Sequence, residues 1–404
     1  MKLKQSSRLQ KFLTGTLALV GLVGCGGSQI PLSAMQYAPQ AYAAPQMLQA
    51  MRAPSLQAQS AAGIQVSFVK AYGRTIAENE AVSRQDANGP SAMLIRLIDS
   101  ARKTLDGSFY DIDNQDVVAA LLRARKRGVR VRLVTDTDNL TAKNSGPAGP
   151  PRVAITQLKK AGIPIVDDKR SGIMHNKFLV VDSQSVWTGS TNLTDSSLFH
   201  HNNNALSLRS AQLAASYTAE FERLFTQRIF GPNPPRQVPY PRVKIGSATV
   251  DVYFSPRGGG QEAVLRELGN ARKRIMFMTF SLTDQSAGAL IEAKQKQGVQ
   301  ISGVFDSWLG ASRYTLFNPL KADGMDMRKD GNEALLHHKV IIVDDTVITG
   351  SYNYSNNAEN SNNENFLIIR NAPAITQAYV EEFQRIRSIS RSGSVRPDYR
   401  GLED

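Results

Sequence analysis

Cysteine, histidine and acidic residues are scarce in this 404-residue chain. A single cysteine excludes an intramolecular disulfide framework and a cysteine-rich metal site. The 35 acidic residues are outnumbered by 48 Lys and Arg, giving a net charge of +13. Such an excess suits a polyanionic partner, either nucleic acid or anionic phospholipid, without choosing between them. Ordinary proportions of hydrophobic (41%) and charged (21%) residues exclude collagen, wholesale disorder and a polytopic membrane protein. The length indicates two or three domains.

The N-terminal residues 1–24 have the pattern of a signal peptide. Four basic residues and no acid precede a short apolar run, Phe12–Val23, which is too brief for a membrane span of about 20 residues. The run ends in Leu22-Val23-Gly24-Cys25, which resembles a bacterial lipobox. We therefore expect cleavage before Cys25, a diacylglycerol on its sulfur, and a location in the bacterial cell envelope, facing the periplasm or exterior. The alternative is an ordinary secretory signal with an incidental cysteine. Loss of the four charges would leave 13 − 4 = +9.

Three further segments have the composition of connecting chain. Residues 25–62 are rich in Ala, Gln, Pro and Ser and carry Arg52 as their one charge, which predicts a disordered tether. Residues 231–246 contain five prolines and are predicted to be a linker. Residues 391–404 are polar and predicted to be a loose tail.

The remaining chain contains an internal sequence repeat of two copies. Ala101-Arg102-Lys103 recurs as Ala271-Arg272-Lys273, an offset of 271 − 101 = 170, and Gly128 and Asp136 recur as Gly298 and Asp306 at the same offset. Later landmarks match at an offset of 162, so the second copy lacks eight residues of the Gly/Pro-rich loop 144–152. Such in-register similarity predicts two structurally equivalent halves, residues 63–230 and 247–390.

Each half has the same predicted order of elements. Amphipathic helices are expected at Ala92–Lys103 and Glu262–Lys273, apolar strands at Thr104–Tyr110 and Ile275–Phe280, and second helices at Gln115–Lys126 and Ser286–Lys296. Gly128 and Gly298 would terminate the second helices. A further strand ends at Asp136 or Asp306, and a β-rich stretch closes the unit. Alternating strands and helices predict an α/β fold in which a mixed or parallel sheet is covered on both faces.

The five histidines fall into two clusters, one in each half. The first half contains His175-Asn176-Lys177 and then Asp182, Gly189-Ser190 and Asn192; the second contains His337-His338-Lys339 and then Asp344, Gly350-Ser351 and Asn353. On a strand, the His and Lys of His-x-Lys point to the same side. Each half thus presents an imidazole, an ammonium, a hydroxyl and a carboxamide from one edge. His200 and His201 complete the count.

This set of side chains suits phosphoryl transfer. Lys, Ser and Asn can donate hydrogen bonds to the non-bridging oxygens of a phosphate. Two imidazoles can divide the remaining work, one attacking phosphorus and the other protonating the leaving oxygen. A single His-x-Lys motif could be only a polar stretch at the edge of a sheet. Two such motifs at equivalent positions of the repeat favour a catalytic role. No His-Glu-x-x-His pairing is present, so no metal and no cofactor are expected.

At residues 64–390 the sequence resembles the phospholipase D superfamily, whose signature is His-x-Lys-x(4)-Asp followed by a Gly-Ser or Gly-Gly turn and an Asn. The resemblance implies two pseudo-symmetric phospholipase D-like halves, each a mixed β-sheet flanked by helices, sharing one central active site. It also implies a two-step, metal-independent reaction through a covalent phosphohistidine. Its catalytic motif residues map to His175, Lys177, Asp182, His337, Lys339 and Asp344, with the N-terminal His as the usual nucleophile. Ser190, Asn192, Ser351 and Asn353 map to substrate-binding positions, and the motif acids orient their strands.

Two departures from the motif pattern are visible. Five residues separate Asp344 from Gly350, whereas six separate Asp182 from Gly189, which predicts a tighter turn in the second half. Glu364 stands where the family often has an acid that orients a catalytic imidazole, and Asn203 occupies the matching position of the first half. The two histidines are therefore expected to differ in environment.

Two enzymatic functions fit these observations. One is a phospholipase D that hydrolyses or transfers the phosphatidyl group of phospholipids at a membrane surface, acting as a monomer with both motifs in one chain. Five apolar residues follow Asp306, and they would either insert among acyl chains or pack in the core under their loop: Trp308, Leu309, Tyr314, Leu316 and Phe317. The other is an exported endonuclease that binds DNA or RNA through its positive charge. A non-enzymatic phosphate-binding surface protein is the third interpretation.

Overall fold

The computed structural model describes residues 60–72, 75–143, 145, 149–232 and 238–390. The signal peptide, Cys25, most of the tether and the C-terminal tail lie outside these residues. Within them, no helix is both long and apolar enough to cross a membrane.

The first half contains one eight-stranded sheet within the described residues, with strand order β1-β2-β8-β7-β6-β3-β4-β5. Strands β3, β4 and β5 are parallel, and the remaining neighbours are antiparallel, so the sheet is mixed. The strands are β1 (Ser60–Ala61), β2 (Ile64–Phe68), β3 (Thr104–Phe109), β4 (Arg130–Thr135), β5 (Ile165–Asp167), β6 (Lys177–Val181), β7 (Ser185–Gly189) and β8 (Asn204–Arg209).

Five α-helices of the described first half pack on this sheet: α1 (Ile76–Gln85), α2 (Pro90–Ser100), α3 (Gln115–Lys126), α4 (Val153–Lys160) and α5 (Ala211–Phe225). Helix α3 shows why these boundaries arise. The Asn114 side chain accepts a hydrogen bond from the backbone N–H of Val117 and so caps its start. Gly128, at φ +86°, terminates it in the left-handed conformation that glycine adopts without strain. A 3₁₀ turn (Thr137–Asn139) and a π-helical turn (Ser196–His200) complete the half.

The second half, as described, repeats this plan with strands β9 (Arg242–Ile245), β10 (Ala248–Ser255), β11 (Arg274–Thr279), β12 (Gln300–Phe305), β13 (Asp326–Lys329), β14 (Lys339–Val343), β15 (Thr346–Gly350) and β16 (Glu364–Arg370). Its helices are α6 (Gly260–Asn270), α7 (Gln285–Lys296), α8 (Phe317–Ala322), α9 (Asn356–Asn360) and α10 (Pro373–Ile389), with a 3₁₀ turn at Leu309–Ala311.

The two sheets have the same topology. Counted from the edge strand β9, the second sheet has the order β9-β10-β16-β15-β14-β11-β12-β13. This is the order of the first sheet with each strand replaced by the equivalent strand of the second half. Phe178 pairs with Thr188 across β6 and β7, and Val340 pairs with Thr349 across β14 and β15, so the registers also agree. The predicted pair of pseudo-symmetric halves, each a mixed sheet flanked by helices, is confirmed.

A shared core joins the halves. Tyr217 and Phe221 of α5 and Tyr379 and Phe383 of α10 belong to one buried cluster that also contains residues of both sheets. Separate clusters fill the outer faces, where α2 and α3 cover the first sheet and α6 and α7 cover the second. Burial from both sides explains why the central strands β6 and β14 are uninterrupted runs of apolar residues after their first lysine.

The structure adds two elements that the sequence pattern did not indicate. Strand β9 lies within the predicted linker 231–246, and it pairs with β10 while burying Val243 and Ile245. The neighbouring prolines obscured this short alternating stretch. Helix α1 is inserted between β2 and α2, and it begins with a capping box in which Thr75 and Glu78 satisfy each other's backbone N–H groups.

Candidate active site

The two motif strands, β6 and β14, lie at the centre of their sheets, and the loops before them meet at the junction of the halves. His175 donates its backbone N–H to the carbonyl of Asn363, at 2.8 Å, and His337 donates to that of Asn202, at 3.0 Å. Each motif loop is therefore held by the chain that leads into a strand of the opposite half. This exchange brings the two histidines together although 162 residues separate them (337 − 175).

Two buried carboxylates fix the same loops from behind. Asp136 accepts the backbone N–H of Met174 at 2.8 Å, and Asp306 accepts that of Leu336 at 3.0 Å. Burial, and for Asp136 the nearby charge of Asp168, raises the pKa of Asp136 to about 7. Burial raises the pKa of Asp306 to about 6. These repeat landmarks therefore position the residue just before each motif histidine.

A cavity of about 340 Å³ opens at this junction. It is lined by both motif histidines, both motif asparagines and a set of apolar side chains: His175, His337, Asn192, Asn353, Tyr110, Ile173, Phe280, Trp308, Leu309 and Leu335. The predicted single site shared by the two halves is where these residues converge.

The two imidazoles have different partners, and each partner comes from the other half. His175 Nδ1 lies 2.7 Å from Glu364 Oε2, and the Ser351 hydroxyl donates to the same oxygen at 2.7 Å. His337 Nδ1 lies 3.0 Å from Asn203 Oδ1, to which the Ser190 hydroxyl donates at 2.7 Å. When Glu364 is ionised, both partners are oxygen acceptors, so Nδ1 carries the proton in each neutral ring and Nε2 remains for chemistry.

Glu364 is fully buried, unlike most carboxylates in proteins. Burial raises the pKa of its carboxyl to about 8, against the opposing charge of Lys177 and the hydrogen bond from Ser351. A carboxylate stabilises an adjacent positively charged imidazole better than an amide does. The His175 side of the cavity is therefore the better placed to hold positive charge.

The motif lysines are also fully buried. Lys177 Nζ donates to the carbonyl of His175 and Lys339 Nζ to that of His337, each at 2.9 Å. Lys177 Nζ lies 5.2 Å from the ring centroid of Tyr110, and Lys339 Nζ lies 4.8 Å from that of Phe280. Both ammonium groups thus lie beside the cavity, against an aromatic face.

Tyr110 and Phe280 are site residues that the motif search missed. Their rings pack edge-on against His175 and His337, with centroids 5.3 and 5.1 Å apart. They occupy equivalent positions in the repeat, since 280 − 110 = 170. The sequence signal that could have identified them is an aromatic residue directly after β3 in the first half and directly after β11 in the second.

The motif serines and asparagines take different positions. Asn192 and Asn353 line the cavity, as their predicted substrate-binding role requires. The hydroxyls of Ser190 and Ser351 instead point at Asn203 and Glu364, and both serines are fully buried. The structure therefore places the serines where they orient the imidazole partners.

Asp182 and Asp344 lie at the far ends of β6 and β14, away from the cavity. Asp182 accepts the backbone N–H groups of residues 102, 103 and 104, and Asp344 accepts those of residues 272, 273 and 274. Burial alone would raise the pKa of each carboxyl, but these hydrogen bonds outweigh it and lower the pKa. Both acids brace the motif strand rather than contact the reacting groups. The turn after Asp344 is one residue shorter than that after Asp182, as predicted, and the strand register is preserved.

The other three histidines do not line the cavity. His200 Nε2 lies 2.9 Å from Glu80 Oε2 of α1, and His338 Nε2 lies 3.1 Å from Glu382 Oε1 of α10. His201 is buried, with its ring centroid 6.0 Å from that of His337. Within the described part of the chain, no group of three or more His, Cys, Asp or Glu side chains is arranged to hold a metal ion.

Comparisons with known proteins find matches in both halves of the chain. The family model described as "Cardiolipin synthase, PLD-like domain" matches residues 94–225 and 264–387, one match in each half. The chain is 34% identical to the mitochondrial cardiolipin hydrolase of Xenopus laevis over 137 residues, which is 34% of this chain and 61% of that protein. It is 32% identical to a phospholipase D of Rickettsia bellii over 130 residues, 32% of this chain and 61% of that protein. The chain thus spans about three fifths of the length of these relatives.

A solved structure matches over both halves. The crystal structure of phosphatidylserine synthase from Haemophilus influenzae Rd KW20 superposes with a TM-score of 0.59, covering 81% of this chain and 87% of that chain. At 14% sequence identity, this similarity concerns the fold.

Proposed function

This chain belongs to the phospholipase D superfamily, and from that premise we propose that it is a phosphodiesterase that hydrolyses or transfers the phosphatidyl group of phospholipids through a covalent phosphohistidine. The observation that carries the proposal is the convergence of His175, held by Glu364, and His337, held by Asn203, on one cavity. Two imidazoles with unlike partners provide the nucleophile and the acid that a two-step displacement requires.

In the first step, His175 Nε2 attacks phosphorus and the bond between phosphorus and the leaving oxygen breaks. His337, which enters this step protonated on both ring nitrogens, gives its Nε2 proton to that oxygen, so the alcohol leaves neutral. In the second step, His337 takes a proton from water, or from an acceptor alcohol, whose oxygen attacks phosphorus. The phosphorus–nitrogen bond then breaks and His175 is restored. Lys177 and Lys339 stabilise the negative charge on the non-bridging oxygens, and Asn192 and Asn353 donate hydrogen bonds to them.

The assignment of His175 as the nucleophile rests on Glu364. A phosphorylated imidazole carries positive charge on its ring, which the buried carboxylate 2.7 Å from Nδ1 stabilises. The amide of Asn203 offers His337 no such charge, so His337 gives up its proton more readily. The electrostatics of the cavity therefore favour His175 as the nucleophile and His337 as the acid.

A phosphodiester with a good leaving group tests this assignment. Bis(4-nitrophenyl) phosphate releases nitrophenolate, which needs no proton from the enzyme. We expect His337→Gln to release a burst of about one nitrophenolate per enzyme and then stop, because the second step lacks its base, and to lose phospholipid turnover. His175→Gln should lose both the burst and the turnover. The reverse pattern would transfer the nucleophilic role to His337.

Phospholipid is favoured as the substrate by the apolar residues that line half of the cavity, among them Ile173, Leu309 and Leu335. Two relatives, a mitochondrial cardiolipin hydrolase and a phospholipase D, are named for action on phospholipids, which supports the same substrate class. A complete site within one chain further supports action as a monomer.

One assay separates phospholipid from nucleic acid as the substrate. Wild type and His175→Ala are offered phosphatidylcholine or cardiolipin vesicles and, separately, plasmid and single-stranded DNA. Release of choline or phosphatidate that disappears in the variant supports the proposal. DNA cleavage without lipid turnover would replace it with an exported endonuclease.

We also propose that the mature chain is a lipoprotein of the bacterial cell envelope, anchored through Cys25. The support is the lipobox Leu22-Val23-Gly24-Cys25 alone. Cys25→Ser should leave an unprocessed precursor that is not acylated with labelled palmitate. Unchanged precursor size and acylation would contradict the anchor.

A further inference from the structure

Exposed hydrophobic side chains gather at the edge of the molecule that carries the active site. Four large hydrophobic residues are exposed among the described residues, and two of them, Trp308 (38% exposed) and Tyr314 (62%), lie in the loop that follows strand β12. Leu316 and Phe317, at the end of this loop, are instead buried in the core of the second half, so the contact with acyl chains is wrong for these two residues. Because β4 and β12 run antiparallel to the motif strands, their ends lie at the edge where β6 and β14 begin. Water contact at the Trp308 and Tyr314 side chains is unfavourable, so the exposure of both in one loop beside the cavity favours an apolar partner.

An apolar path joins this edge to the catalytic imidazole. Trp308 and Leu309 line the cavity. The Trp308 indole lies 6.4 Å from the Phe280 ring, whose centroid is 5.1 Å from that of His337. The Trp308 and Phe280 rings therefore form a continuous apolar surface from the exposed edge to His337.

The charge of the loop indicates the chemistry of its partner. Residues 307–316 contain one basic residue, Arg313, and no acid. The Arg313 guanidinium lies 4.7 Å from the ring centroid of Tyr314. Trp and Tyr favour the boundary between lipid headgroups and acyl chains, and a juxtaposed cation favours anionic phosphates.

We infer that the loop 307–316 is a membrane-docking surface, which places Trp308 and Tyr314 in the interface of an anionic phospholipid bilayer so that a lipid enters the cavity past Trp308. This inference rests on the proposed phospholipid substrate and adds the way in which the enzyme meets it. The alternative partner, single-stranded nucleic acid, would stack its bases on the same two rings.

Tryptophan emission provides a direct test, because the chain contains two tryptophans and Trp187 is fully buried in the first-half core. The full chain carrying His175→Ala and Cys25→Ser, which neither turns over substrate nor bears a lipid, is mixed with vesicles of phosphatidylglycerol with brominated acyl chains. We expect a blue shift and quenching of the Trp308 emission. The same chain with Trp308→Phe, which retains Trp187 alone, is the matched control and should show neither.

A second measurement concerns turnover and uses residues outside the cavity. Removing one basic residue near an anionic surface weakens binding by about fivefold, so Arg313→Gln should lower vesicle affinity by about that factor. Tyr314→Ser with Arg313→Gln should reduce turnover of phosphatidylglycerol vesicles by about tenfold or more. Both variants should hydrolyse soluble bis(4-nitrophenyl) phosphate within about twofold of wild type, because neither side chain lines the cavity.

Trp308 emission that brominated vesicles leave unchanged, while sedimentation shows the chain bound, would overturn the docking surface. A response to single-stranded oligonucleotide in place of vesicles would also overturn it. Failure of the wild type to hydrolyse the soluble diester would instead refute the proposed function. The two failures are distinguishable because quenching is measured on the inactive chain.

Discussion

Replacing Glu364 with glutamine should stabilise the folded protein while disabling it, and the gain should depend on pH. The carboxyl has an ordinary pKa of 4.5, which burial raises to about 8 in the fold. Between these values the folded state retains a proton that the unfolded chain releases, so the free energy of unfolding falls as pH rises from 4.5 to about 8. At about 1.4 kcal/mol per pKa unit, the loss across this interval amounts to about 5 kcal/mol.

Glutamine resembles the protonated carboxyl in shape and cannot ionise. Near pH 4.5 and below, Glu364→Gln and wild type should therefore unfold at similar denaturant concentrations, and the variant should become progressively more stable towards pH 8. Above about pH 8, where Glu364 of the wild type is ionised, the variant's rate of phosphodiester turnover should be lower by about 100-fold or more, because the His175 imidazole loses its charged partner. The measurement is the urea midpoint of both proteins at several pH values, with turnover measured in parallel.

The matched variant is Asn203→Asp, which places a new carboxyl at the equivalent position of the first half. Asn203 is fully buried, so the ionised aspartate should destabilise the fold increasingly as pH rises, the opposite of the effect expected at Glu364. If the stability difference between Glu364→Gln and wild type stayed constant from acid to neutral pH, Glu364 would be ionised throughout, and the argument from burial would be wrong.

Three further outcomes follow from the same geometry. Asp182→Asn and Asp344→Asn should each lower the free energy of unfolding by about 1–3 kcal/mol in urea titrations, because three backbone N–H groups lose a charged acceptor. Since folding lowers the pKa of both carboxyls, the wild type should lose this stabilisation as the pH falls through the lowered pKa. Gly189→Ala should lower the thermal midpoint more than Gly128→Ala, because its Cβ would lie 2.3 Å from a backbone oxygen whereas Gly128 faces open space; equal losses would contradict the steric argument. Activity should be unchanged in EDTA, and inhibition that added metal reverses would count against the proposed mechanism.

The repeat made most of the fold predictable from sequence. Helix Gln115–Lys126 was predicted with both of its observed ends, because an apolar face and a terminal glycine coincide there. The strand predicted at Thr104–Tyr110 ends one residue earlier, at Phe109. Helix α1 was missed although Thr75 and Glu78 form a capping box, because few of its residues are apolar.

Sequence reasoning identified Glu364 as the partner of a catalytic imidazole but could not assign it to one of the two histidines. Glu364 lies 189 residues from His175, and nothing in the spacing of either motif shows which histidine it reaches. That choice depends on how the two sheets face each other across the shared core, which is a property of packing. The same is true of the serine hydroxyls, whose burial against Asn203 and Glu364 only the tertiary structure reveals.

Each catalytic imidazole takes its hydrogen-bond partner from the other half, and this explains why one site needs two similar halves. Neither half contains a complete imidazole and partner: His175 depends on Glu364 of the second half, and His337 depends on Asn203 of the first. A repeat with identical partners would give two equivalent histidines, whereas the proposed displacement needs one that accepts phosphorus and one that releases a proton. A single exchange of carboxylate for amide at equivalent positions distinguishes them while leaving the strands, the lysines and the asparagines alike. Under the proposed mechanism, each half separated from the other would retain its motif and lack the partner of its own histidine, so neither half would be active alone.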